Sequence, residues 1–218
     1  MKRIKLVMLL VMGGLVSACA NTNVASRNAP FDSAPLNAGP GAAYLSLLTD
    51  VSVENITVRV PRSLKVSEAN RYLPAGDIVW REDPIGDRHA QVAQIFHDAL
   101  TRGTEALDGK LPVALDVEVS RFHALTEKAR YTTGGVHNIT FTLTLRDAET
   151  GAALSDPRFI RADLDAFGGQ QALAAEARGL TQKVRISNHL AEVIRQELTT
   201  QEGFQNPRLG LIQAMNQI

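Results

Sequence analysis

The chain has 218 residues, 44% hydrophobic and 21% charged, with 23 Lys and Arg against 23 Asp and Glu and one cysteine. That length and apolar content suit a single packed domain with flanking segments. Beyond the first five residues the basic side chains are scattered singly, so the basic stripe of a nucleic-acid-binding protein is missing. The lone cysteine leaves no partner for an internal disulfide.

In chain order, Met1-Lys2-Arg3-Ile4-Lys5 is charged, Leu6 to Met12 is apolar, and Leu15-Val16-Ser17-Ala18-Cys19 places small residues before a thiol. These are the parts of an export signal. A membrane-spanning helix needs about 20 apolar residues, and the segment from Ile4 to Ala18 is shorter and is broken by Lys5, Gly13 and Gly14. The end of the segment resembles the lipobox of bacterial lipoproteins, matched through Ser17, Ala18 and Cys19. The resemblance implies that residues 1–18 are a signal peptide and that Cys19 becomes the first residue of the mature chain, acylated on its sulfur and its amine. Two acyl chains suffice for stable anchoring. Ala20 and Asn21 stand where an inner-membrane retention signal would place Asp, which implies the outer membrane, facing the periplasm. Loss of Lys2, Arg3 and Lys5 leaves the mature chain at a net charge of −3.

Residues 19–44 are rich in Ala, Asn, Ser, Pro and Gly. Such composition buries too little apolar surface to offset ordering, and reads as a tether with a reach of roughly 25 Å. A domain is expected over residues 45–203. Ile56, Val58 and Val60 alternate with polar residues, giving a strand over Val51–Val60 that Pro61 ends. Asp77–Arg81 reads as a short strand. A helix is expected from Asp87, its N-cap, to about Gly109, with Val92, Ile95, Phe96, Ala99 and Leu107 on one stripe.

Two alternating runs follow, Val113–Val119 and Ile139–Leu145, with a bulge expected near Arg121 where the phase breaks. A turn at Ala148–Gly151 leads to a strand over Arg158–Phe167, with Ile160, Ala162, Leu164 and Ala166 inward, stopped by Gly168-Gly169. From Gln170 to about Gln201, Leu173, Ala177, Leu180, Val184, Ser187, Ala191, Ile194 and Leu198 make a heptad seam. That reads as one long helix, or two joined near Ser187. Residues 204–218 form a tail with a short helix carrying Leu209, Ile212 and Met215. The fold class is therefore α+β, a mostly antiparallel sheet of four to five strands with two long helices on one face.

No Gly-x-Ser-x-Gly, Walker, His-Glu-x-x-His or Cys-x-x-Cys pattern occurs, and no cofactor or metal is called for. The segment from Thr126 to His137 is longer than a tight hairpin needs. Its Lys128, Arg130, Tyr131, Gly134, Gly135 and His137 form a candidate loop for a protein partner or anionic head group; the plainer reading is a protruding hairpin with glycines at positive φ. His123 and His137 flank it and would meet across the hairpin. In Arg81–Arg88, Glu82 and Asp83 form a candidate acid/base pair with Arg81 or Arg88 placing a substrate. Capping and surface ion pairing explain the same residues.

The runs Val58-Arg59-Val60-Pro61 and Ile78-Val79-Trp80-Arg81, followed by a helix and alternating strands after a lipobox, resemble the auxiliary lipoproteins of ABC-type lipid transport systems. The strings Asp77–Asp87 and LTEKARYTTGGVHNITF are closer to an uncharacterised envelope lipoprotein family. These resemblances imply a non-catalytic binding or assembly component, held to the membrane by its lipid anchor, with an envelope protein or a lipid as partner and no nucleic acid. The alternative is an envelope hydrolase using the Arg81–Arg88 cluster or the His123/His137 hairpin.

Overall fold

Hydrophobic alternation builds a six-stranded sheet around one long hairpin. The structure, a computed structural model, describes residues 50–207; the signal segment, Cys19, the tether and the helix expected around Leu209 to Met215 lie outside them. Strand β1 is Val51–Arg59, β2 Ile78–Val79, β3 Leu111–His123, β4 Gly135–Asp147, β5 Arg158–Arg161 and β6 Leu164–Ala166. The helices are α1 Arg88–Thr104, α2 Glu127–Arg130, α3 Gly169–Glu176 and α4 Gln182–Thr199. No helix among the described residues is long and apolar enough to cross a membrane.

The fold is α+β, as expected, and its sheet is mixed: antiparallel pairings predominate, with parallel strands along one edge. Strands β3 and β4 pair antiparallel, with β5 and β6 end to end along the far edge of β4. Along the other edge of β3, both β1 and β2 run parallel to it. Parallel neighbours need a long crossover, and the connection containing α1 supplies it. The bulge falls where the phase break placed it, between Val119 and Arg121. It restores Phe122 to the apolar face, opposite Ile139.

That face carries the core. Val113, Leu115, Val117, Val119, Phe122, Ile139, Phe141, Leu143 and Leu145 are all buried under α1 and α4. A fully buried Leu, Ile or Phe contributes about 1.5–3 kcal/mol. Phe96 of α1 bridges Phe122 and Phe141, at centroid distances of 6.1 and 5.3 Å, and Trp80 meets Phe122 edge-on at 5.6 Å. The outer face is polar, with Asp116 of β3 pairing Arg59 of β1 and Arg146 of β4.

Helix α1 starts as expected, the Asp87 carboxylate accepting the His89 and Ala90 N–H groups. It ends at Thr104, before Gly109, whose N–H is taken up by Val51 O. At Gly103 a Cβ would lie 2.3 Å from Ala191 O, so only glycine lets α1 and α4 approach this closely.

The expected strand over Arg158–Phe167 is interrupted. Asp163 turns its carboxylate to the Ile139 N–H at 3.1 Å and Asn138 Nδ2 at 2.7 Å, replacing a ladder partner and splitting the run into β5 and β6. The heptad seam also fails. The chain breaks at Gly179, with φ +78°, not near Ser187, and Thr181 caps a new helix by accepting the Val184 N–H. Leu173, Leu180 and Val184 are exposed, while the buried stripe of α4 is Ile186, Leu190, Val193, Ile194 and Leu198. After α4 the chain stays on the domain: buried Glu197 accepts the Phe204 N–H at 2.8 Å and pairs with Arg158, and Asn206 Nδ2 donates to Arg161 O.

Candidate functional site

The segment between β3 and β4 is folded down. Thr126 accepts the Ala129 N–H at 3.2 Å and donates to Arg71 O at 2.7 Å, so α2 begins as a capped turn pinned to the loop after β1. Gly134, at φ +70°, passes so close to Gly168 and Ala166 that a Cβ would lie 2.8 Å from Ala166 O. The protruding hairpin expected from the sequence is thus a packed corner.

Two clusters far apart in sequence meet there. Arg130 pairs with Glu176 of α3 and with Glu82 at 3.3 Å, and its side chain is only 12% exposed. Arg81 pairs with Glu127 of α2 and with Glu68 at 3.5 Å. Buried Arg88 grips Glu68 through two bonds of 2.7 and 3.1 Å, and donates to Asp83 O, Pro84 O and Gln91. Glu82 accepts the Lys183 N–H at 3.0 Å, placing a carboxylate at the positive end of α4, while Lys183 Nζ reaches Asp83 at 2.8 Å.

The candidate acid/base pair, Glu82 and Asp83, is thus engaged in ion pairs and at a helix terminus, in line with the capping and ion-pairing reading of the sequence. Burial favours the neutral acid at Asp83, but hydrogen bonds from Lys183 and Trp80 outweigh it and hold the carboxyl below its ordinary range. The same balance, with Arg81 donating, lowers Glu127. Arg88 lowers Glu68 by its hydrogen bonds. Asp87 is drawn down to about 2 by Arg62 and then by the amides it caps.

The remaining sequence candidates separate. Lys128 is exposed, its Nζ 4.7 Å from the Tyr72 ring centre. Tyr131 is 43% exposed with its hydroxyl 3.4 Å from Glu176. Gly135 adopts φ +154° at the start of β4. His123 and His137 do not meet: His123 pairs in register with Asn138, so His137 lies on the opposite face of the sheet. His123 Nδ1 is 2.7 Å from Arg121, and burial with that guanidinium lowers its pKa. His137 is buried in the core, where burial first, then Arg185, Arg130 and His189, push its pKa down to about 3. Among the described residues no three His, Cys, Asp or Glu side chains converge as a metal site.

Sequence reasoning missed Glu68, Glu176, Gln182 and Arg185. No short-range pattern marks them, since Arg130 and Glu176 are 46 residues apart and Glu82 and Lys183 are 101 apart. Exposed apolar side chains neighbour these residues along the chain: Tyr72 and Leu73 after Glu68, Ile85 between Asp83 and Arg88, Tyr131 after Arg130, and Leu173 and Leu180 on either side of Glu176.

Fold and corner define a small α+β domain whose clustered charges are tied up in its own ion pairs. The chain belongs to DUF6778, a family of unknown function, whose model matches residues 51–214. Among curated proteins none matches it. Solved structures similar to it include a Caulobacter crescentus protein described as a candidate lipoprotein, 13% identical, covering 73% of this chain and 95% of that one with a TM-score of 0.32. A Xanthomonas campestris protein of the family DUF330 is 11% identical, covering 66% of this chain and 81% of that one at a TM-score of 0.37. Likenesses this remote carry no inference about what the chain does.

Proposed function

We propose that this chain is a lipoprotein of the cell envelope, anchored through Cys19 in the outer membrane and facing the periplasm, whose domain is a non-catalytic binding or assembly component. The observation that carries the binding role is the corner. Its charges neutralise one another, which suits a rigid scaffold better than a reacting centre, and they hold up apolar side chains as exposed as Leu73 at 90% and Ile85 at 92%. Exposed apolar groups gathered beside polar ones mark interaction surfaces. Asp50, where the described chain begins, lies at the Leu111 end of β3, whereas the corner follows His123 at the other end. Thirteen residues of strand place the two about 40 Å apart. An envelope protein is the partner this corner would meet, and a lipid-transport system is the setting the sequence resemblance favours.

The test is crosslinking in intact cells, comparing the wild type with Cys19→Ala, together with palmitate labelling and membrane fractionation. A label and an outer-membrane location lost in Cys19→Ala, with a specific envelope complex recovered from the anchored form, are expected. An unlabelled wild type refutes the anchor; a labelled wild type that recovers no complex refutes the binding role.

A further inference from the structure

Beside the Arg130–Glu176 pair, β4, α3 and α4 border a small, partly open cavity whose lining includes Arg130, His137, Phe167, Glu176, Gln182 and Arg185. Its free space of about 10 Å³ has room for one water molecule. Gln182, the first residue of α4, is only 5% exposed, yet its Oε1 has no hydrogen-bond partner. Buried polar atoms are paired with protein or ordered water in roughly nine cases in ten, so this amide oxygen calls for a donor.

The other lining groups say which donor. His137 is 1% exposed, and its Nδ1 receives the Leu125 N–H at 3.4 Å. An imidazole accepting at Nδ1 carries its proton on Nε2. The cavity walls thus supply the His137 N–H and the guanidinium groups of Arg130 and Arg185 as donors, and the Gln182 amide oxygen and the Glu176 carboxylate as acceptors. A metal cation is disfavoured by the two guanidinium groups in the wall.

We propose that this cavity is a built site for one ordered water, donating to Gln182 Oε1 and to the Glu176 carboxylate and accepting from His137 Nε2–H. The water joins β4 to α3 and α4 at a corner where the chain itself is broken at Gly179. It stabilises the helix junction that displays Leu173 and Leu180.

High-resolution diffraction from the whole chain tests the site. A solvent peak within about 2.7–3.2 Å of both Gln182 Oε1 and His137 Nε2 is expected. In Gln182→Met, of similar volume without the acceptor, the peak should vanish and amide exchange over residues 177–181 should quicken about five- to tenfold. Oxygen-17 relaxation of the wild type, which needs no variant, should show a long-lived internal water. A dry cavity, a Gln182 amide turned onto a protein donor, or a peak unchanged in Gln182→Met overturns the proposal.

Discussion

Acidification from pH 6.5 to 4.5 should destabilise the domain through His137. Its ordinary pKa of 6.5 falls to about 3 in the folded state, because burial penalises the imidazolium and Arg185, Arg130 and His189 repel it. Between those values the unfolded chain binds a proton that the folded one refuses. Stability therefore falls as the pH drops below 6.5, and the loss levels off near pH 3. Each pH unit inside that window costs up to about 1.4 kcal/mol, so His137 should account for roughly 2.5 kcal/mol by pH 4.5. The carboxyls held low by their cationic partners, Glu68 and Glu127, start from 4.5, and their contribution is lost below that pH. The histidines thus have the window above it to themselves. His123 and His189 are lowered too, with burial the first cause, and add in the same direction. Urea unfolding of wild type and His137→Gln at pH 7, 6, 5 and 4.5 separates them, with the slope m checked for constancy. A variant as sensitive to pH as the wild type across this window refutes the assignment to His137.

Gly103→Val should cost about 2–3 kcal/mol by forcing α1 from α4, read as a lower urea midpoint; an unchanged midpoint contradicts the close approach at Ala191. Thr181→Ala removes the cap on the Val184 N–H and should cost about 1 kcal/mol, with amide exchange rising first in the opening turn of α4. Trp80→Phe loses the 2.8 Å bond from Nε1 to Asp83 and should cost about 1–3 kcal/mol. Tyr131→Ala, at a half-exposed ring, should change stability by no more than about 0.5 kcal/mol while reducing crosslinking to the envelope partner; undiminished crosslinking removes this ring from the interface.

Local patterns were legible wherever one element is read by its own neighbours. Period-two alternation in β3 and β4, the Asp87 cap and the phase break near Arg121 all survive because each is a property of a few adjacent residues. The heptad seam failed for a related reason. Ile194 and Leu198 belong both to the seam and to the true stripe, so the pattern is ambiguous until a packing partner chooses. The choice is Ile186 and Leu190, set by the sheet below. The direction of β1 was equally hidden, since alternation fixes which face is apolar and says nothing about which way the neighbour runs.

The corner shows what spacing cannot reveal. In the sequence Arg81–Arg88 stands out by its dense charge and Thr126–His137 by its length and polarity, and each reads as a site on its own. Their charges are unusual because each cluster supplies half of the other's neutralisation: Arg130 answers Glu82, and Glu127 answers Arg81. Lys183 and Glu176 complete the set from the helices beyond Ala166. A half-buried charge read alone resembles a reactive group, because burial and unpaired charge are what perturb reactivity. Read with its partner it is a fastening. The same pairing accounts for a corner rich in ions beside exposed Leu73 and Ile85: the charges pair with one another, and the apolar side chains are left on the surface.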